Sequence, residues 1–241
     1  MSLVTPSGGL VYHLRAWCYG STLWAPFRAS LADWLSRSLP RSGELILVGP
    51  SAGHCLPLEH WRSVPKVLVL EPDPLARWLL TRRLTPSRVE GEPRDLLVEP
   101  LLRQSRGLQP LLERWPEAPV LFCNVLGQLH FTLSEEQHAR FQSAFRERVV
   151  PLLSTRRWAS FHDRWSFDWR ASAGTLPQMQ TFAQLPSDAE LAEAWFGART
   201  EPVTALDHGT SQLFPESLPR SYFSWQITPG TLHVVEALGS G

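Results

Sequence analysis

A glycine-containing loop, an acid at a strand end and two His–Asp pairs are the chemistry this sequence can offer. The apolar run Leu45-Ile46-Leu47-Val48 leads into Gly49-Pro50-Ser51-Ala52-Gly53. Eighteen residues past Gly53, a second apolar run over 66–70 ends in Glu71 and Pro72. Glycine lets backbone approach a ligand closely, and an acid ending the next strand accepts hydrogen bonds from ribose hydroxyls. Together they point to a nucleoside ligand. Glu71 could also cap the following helix, but Asp73 is placed to do that and leaves Glu71 for a ligand. His162-Asp163 and Asp207-His208 are side chains able to take up or deliver a proton. Each pair equally reads as a surface ion pair.

These residues need elements to position them. Helical spacing of Phe27, Leu31, Trp34, Leu35 and Leu39, with Pro26 in the first turn, predicts a helix over 26–39 ended by Pro40 and Gly43. Strands are expected at 44–48 and 66–70, near 94–98, at 119–123 and at 158–161. A short helix is expected at 54–63 and another from Pro74 to Arg83 with Leu75, Trp78 and Leu79 buried. Leu108, Leu111, Leu112 and Trp115 predict one more helix. Ser134 with Gln137, and Ser187 with Glu190, are capping boxes that start two others. Pro151 should kink or end the first, and Gly197 should end the second. The chain closes with a hairpin, 222–227 and 231–236, about a Pro229-Gly230 turn of type II.

Alternating strands and helices imply an α/β fold, doubly wound about a mostly parallel seven-stranded sheet with an antiparallel C-terminal hairpin. Ligands of such sheets lie beyond the carboxyl ends of the strands, where Gly49, Glu71, Asp95, Asn124 and His162 fall.

With those residues in place, the chain resembles class I S-adenosylmethionine-dependent methyltransferases over about 44–165 and 222–237. The family's G-x-G-x-G loop reads Gly49-Pro50-Ser51-Ala52-Gly53 here, with Ser51 at the middle glycine. The resemblance implies that Gly49, Pro50, Ser51 and Gly53 pass beneath the methionine part of the cofactor. It assigns Glu71 and Pro72 to the ribose, Asp95 to the adenine, and Asn124 and Val125 to the border of the methyl-transfer site. The family's usual acid just before the first glycine is missing, since Leu47 and Val48 stand there. One domain over 1–241 is expected. It comprises an N-terminal helical cap (1–43), a cofactor core (44–164), a helical and loop insertion covering the substrate (165–221) and the hairpin (222–241). His13 and Arg15 in the cap are further site candidates.

The charge balance, 23 basic against 23 acidic residues, argues against a nucleic-acid partner. Cys18, Cys55 and Cys123 form no CxxC pair, no HExxH spacing occurs, and no metal is expected. There is no Walker A lysine motif. The start, 1–9, lacks a signal-peptide pattern and no apolar run reaches membrane-spanning length, so a cytoplasmic protein without membrane contact is expected. The expected activity is methyl transfer to a small molecule, with catalytic groups among His162, Asp163, Asp207 and His208, in a homodimer or heteromer. The alternatives are a non-catalytic binding subunit of a heteromer and a nicotinamide-dependent oxidoreductase, though the loop lacks G-x-G-x-x-G spacing.

Overall fold

Four parallel β-strands of buried Val, Leu, Ile, Phe and Trp set the frame of the chain. A computed structural model describes residues 9–39, 43–61, 64–84, 89–169, 177–197 and 205–240. The expectations on Pro40 and on the extreme N-terminus lie outside the described residues. Helices α1 (Gly9–Tyr19) and α2 (Ala25–Ser38) precede β1 (Glu44–Val48) and β2 (Lys66–Leu70). Then come α3 (Pro74–Arg83), β3 (Val89–Glu92), α4 (Val98–Leu102), α5 (Gln109–Arg114) and β4 (Val120–Cys123). Helix α6 (Glu135–Ala144) runs through a π turn into α7 (Val150–Leu153), followed by β5 (Trp158–Asp168) and β6 (Met179–Phe182). The last elements are α8 (Asp188–Phe196), β7 (Leu206–Asp207), β8 (Arg220–Thr228) and β9 (Thr231–Gly239).

Among the described residues the sheet has nine strands in the order β3-β2-β1-β4-β5-β9-β8-β6, with β7 on β5. The first five pair in parallel; β9, β8, β6 and β7 are antiparallel to their neighbours. The chain leaves β1 toward β2 and β3, then returns to place β4 on the other side of β1. That reversal opens a crevice between the β1 and β4 exits. One face carries Leu45, Leu47, Val67, Val69, Leu121 and Phe161 against α2. The other carries Ile46, Val48, Leu68, Val120 and Phe122 against α5 and α6. Parallel strands covered on both faces read as continuous apolar runs, which makes β1, β2 and β4 visible in sequence.

Helix α2 starts at Ala25 with Pro26 in its first turn and buries Phe27, Leu31, Trp34 and Leu35. Both capping boxes form, and Gly197 closes α8 at φ +56°.

Several expectations are corrected. The sheet has nine strands rather than seven, because 165–221 holds the rest of β5 together with β6 and β7 besides α8. Strand β3 lies at Val89–Glu92, not near 94–98. An edge strand paired only to β2 needs no apolar run, and Lys66 meets Glu90 across it at 2.9 Å. Of the short helix expected at 54–63, the described residues 54–61 form a single 3-10 turn, Leu58–Trp61. The buried stripe of α3 is Ala76 and Leu80, while Leu75 and Trp78 are about half exposed. The Asp73 cap, accepting from Leu75 and Ala76 N–H, sets that phase. Gly230 is not among the residues of positive φ, so its turn is not type II. Strand β5 runs on to Asp168, because Trp165 and Phe167 bury against α8 and because Ser160, His162, Asp163, Arg164 and Ser166 have polar partners. His162, Asp163 and Arg164 therefore lie within a strand, not after one.

Candidate functional site

The crevice at the β1–β4 switch point opens into a cavity of about 450 Å³. Its floor is built from strand exits. Gly49, Pro50 and Ser51 follow β1, Glu71 and Pro72 follow β2, Asp95 lies past β3, and Asn124 and Val125 follow β4. Helix α1 contributes Val11, Tyr12 and Arg15, and the hairpin contributes Trp225, Ile227 and His233. Asp163 closes the end beneath the hairpin.

Gly49 has φ +62°, and a Cβ built on it would lie 2.5 Å from Cβ of Val125. Only glycine lets the β1 and β4 exits approach so closely. Ser51 and Asn124 also adopt left-handed backbone, φ 48° and 58°. Non-glycine residues held there store conformational strain, and both lie on this cavity.

Glu71 is buried. Its carboxylate accepts from the Ser51 N–H at 2.8 Å and the Asp73 N–H at 3.0 Å, tying the β1 loop to the β2 exit. Burial outweighs those bonds and pushes its carboxyl up to about 7. Asp95 accepts from the N–H groups of Leu97, Val98 and Glu99 at 2.8–2.9 Å, so its carboxylate shapes the turn into α4.

At the other end, Asn124 locks β4 to β5. Its side-chain N–H₂ donates to Asp163 Oδ2 at 3.0 Å, and its Oδ1 accepts from the Asp163 N–H at 2.8 Å. Gln128 also donates to Asp163 Oδ2, at 2.9 Å. His233 Nδ1 lies 3.0 Å from Asp163 Oδ1. Burial alone would raise the Asp163 carboxyl, but the charge of His233 and the surrounding donors hold it down to about 2. Gly127 packs against this lock, since an added Cβ would lie 2.5 Å from Asp163 N and 2.8 Å from Asn124 Oδ1. Both are fixed atoms. Gly127→Ala is expected to cost about 1–3 kcal/mol through overpacking, read as a lowered urea midpoint with unchanged slope.

The structure brings together Gly49, Pro50, Ser51, Glu71, Pro72, Asp95, Asn124, Val125 and Asp163 around one cavity. It leaves the other four predicted residues outside its lining. Gly53 packs on α3, where a Cβ would meet Leu80 at 2.6 Å. His162 points to the opposite sheet face, bonded to Ser160 at 2.9 Å and facing Glu236 at 3.5 Å. Asp207 pairs with Arg164 at 2.5 Å. His208 is buried beside the Asp163 end; its Nδ1 lies 2.7 Å from the Gly127 carbonyl and its Nε2 3.1 Å from Ser166 Oγ. Burial lowers its imidazole below the ordinary value. Among the described residues of 165–221 none lines the cavity; the covering element is α1. Cys55 and Cys123 also line it, but burial pushes the Cys55 thiol up to about 11 and raises Cys123 too, which keeps both unreactive thiols.

Sequence reasoning missed His233, Trp225 and Gln128. One signal was available: a lone histidine inside an apolar hairpin strand, which pairs across to Trp225.

No family model and no curated protein matches the chain. Solved structures to which it is similar include three methyltransferase-related ones. The N-methyltransferase NodS from Bradyrhizobium japonicum, in complex with S-adenosyl-L-homocysteine (SAH), is 14% identical, with 94% of this chain and 98% of that one covered and a TM-score of 0.44. A SAM-dependent methyltransferase from Anabaena variabilis is 14% identical, with 98% of each covered and a TM-score of 0.43. The DhpI–SAH complex is 15% identical, with 94% and 92% covered and a TM-score of 0.39. Likenesses at these values carry no argument about activity. Among the described residues no helix is long and apolar enough to cross a membrane.

Proposed function

We propose that this chain transfers a methyl group from S-adenosylmethionine to a small-molecule acceptor. One observation carries the reading: a single cavity joins a buried strand-end carboxylate, Glu71, to a polar end formed by Asp163 and His233. The residues present fit an adenosyl ligand. Gly49 leaves a cradle that a Cβ would fill, and Glu71 offers carboxylate lone pairs for a ribose diol. Leu96, Leu97 and Val98 supply apolar surface for a flat base. The strand-one acid is absent, because Leu47 and Val48 are buried apolar side chains. Arg15 and Tyr12 of α1 are the polar groups available to an amino-acid end, with Arg15 supplying the cation for its carboxylate.

When bound, the cofactor supplies an already activated methyl group, so the protein's main task is alignment. Trp225 and Ile227 give the acceptor end an apolar wall, which suits an acceptor with an apolar body. Asp163, fixed by Asn124 and Gln128, presents His233 to whatever N–H or O–H group enters. The N-terminal helices act as the cap over this site within one domain, and the described residues of 165–221 brace the hairpin from the other side, through Phe167, Leu191 and Trp195.

The test is incubation with S-adenosylmethionine and a panel of aromatic and aliphatic amines and phenols, with SAH formation read by mass spectrometry. Acceptor-stimulated SAH formation is expected. Binding of the cofactor without turnover on any acceptor would instead favour a non-catalytic binding subunit. Binding of NAD in its place would sink the methyl-transfer reading.

A further inference from the structure

We propose that Asp163, His208 and His233 form a site for a divalent transition-metal cation at the acceptor end of the cavity. One ligand atom from each of the three lies within 4.8 Å of the others, and Asp163 and His208 are buried. Asp163 Oδ1 and His233 Nδ1 approach to 3.0 Å, yet neither atom has a hydrogen-bond partner. With His233 neutral and its proton on Nε2, both atoms turn lone pairs toward the space between them, as two ligands of one cation would. Donors at about 2.1 Å from one metal, at right angles, are about 3.0 Å apart.

The surroundings orient the donors as a metal site requires. Asp163 Oδ2 is held by Asn124 and Gln128, which leaves Oδ1 as the ligating oxygen. The Gly127 carbonyl fixes His208 through Nδ1–H and turns the Nε2 lone pair inward. Metal-bound histidines ordinarily donate their second N–H in this way. Ser166 Oγ, 3.1 Å from His208 Nε2, must give up that contact when the cation binds. Two imidazoles and one carboxylate suit Zn²⁺, Co²⁺ or Fe²⁺ better than Mg²⁺, which prefers oxygen and retained water. Asp163 and His233 line the cavity, so open coordination positions face it. An oxygen or nitrogen of an acceptor could complete the shell there. The three residues come from β5, the segment after β7 and β9. That scatter along the chain is invisible to any spacing motif and explains why the sequence predicted no metal.

The test uses the full chain, stripped with chelator and titrated with Co²⁺. Saturation at one equivalent is expected, with visible ligand-field absorption and a hyperfine-shifted imidazole N–H resonance in the unsubstituted protein. His208→Asn and His233→Gln should each weaken binding by at least about 100-fold, since even outer-shell losses cost 10–100-fold. Metal-free melting curves establish that each variant is folded. Without saturable binding, or with binding unchanged in both variants, the proposal is overturned, and Asp163–His233 stands as a proton-sharing pair alone. Calorimetry with SAH is independent of this outcome: SAH binding without Co²⁺ binding overturns the metal site and leaves the methyl-transfer reading intact.

Discussion

Arg220→Met is expected to destabilise the protein by about 3–5 kcal/mol, the cost of leaving a buried charge without its partner. Arg220 and Glu236 are both fully buried and ion-paired across β8 and β9. The Tyr222 hydroxyl donates to Glu236 at 2.8 Å, and His162 lies 3.5 Å from it. Burial alone would raise the Glu236 carboxyl, but His162, Arg220 and Tyr222 hold it below its ordinary value. Removing the guanidinium leaves an anion in a low-dielectric interior with two weaker partners. In a domain of this size the loss should lower Tm by about 6–20 °C, at roughly 2–4 °C per kcal/mol. The double variant Arg220→Met/Glu236→Gln should recover much of it, because no uncompensated charge then remains. None of these four residues lines the cavity, so the folded single variant should bind SAH with unchanged affinity. A variant as stable as the parent protein would contradict this account of β5 and the hairpin.

That network also explains what sequence could and could not show. Strands β1, β2 and β4 are buried on both faces, and their apolar runs announce them. The helix caps at Asp73, Ser134 and Ser187 are local, so their spacing suffices. Eight of nine predicted cofactor positions line one cavity because they lie just past the strand ends. The misses are non-local. His162 reads as a loop base, but it is a strand residue bonded to Ser160 and facing Glu236, 74 residues away. His233 reads as hairpin filler until pairing of β5 with β9 brings it to Asp163. Strand β5 looked short because its charged residues resemble a turn, and only the far partners pay for burying them. Gly53 matched the loop pattern yet serves packing against Leu80.

The second large effect concerns Glu71. Its carboxyl is raised to about 7 from an ordinary value of 4.5, chiefly by burial. Folding therefore holds the proton more tightly than the unfolded chain does. That contribution to stability is full below about 4.5 and is lost as pH rises through about 7. Ligand binding has the opposite slope. Ribose hydroxyls donate to the ionised form, so an adenosyl ligand should release a proton on binding and bind more tightly as pH rises toward 7 and above. Below the raised value, affinity should change by up to about tenfold per pH unit. Glu71→Gln should abolish that pH dependence and weaken binding at pH 8 by about 10- to 100-fold, the loss of one or two charge-assisted hydrogen bonds. Glu71→Ala should weaken it further and also remove the bonds that Glu71 accepts from the Ser51 and Asp73 N–H groups.

The central claim, an adenosyl site organised by Glu71, is tested most directly by titration calorimetry with SAH at pH 6 and pH 8 in buffers of different ionisation enthalpy. Saturable one-to-one binding, tighter at pH 8, with proton release at pH 6 that vanishes in Glu71→Gln, is the predicted result. No SAH binding at either pH, or equal binding by the Glu71→Gln variant, would contradict it.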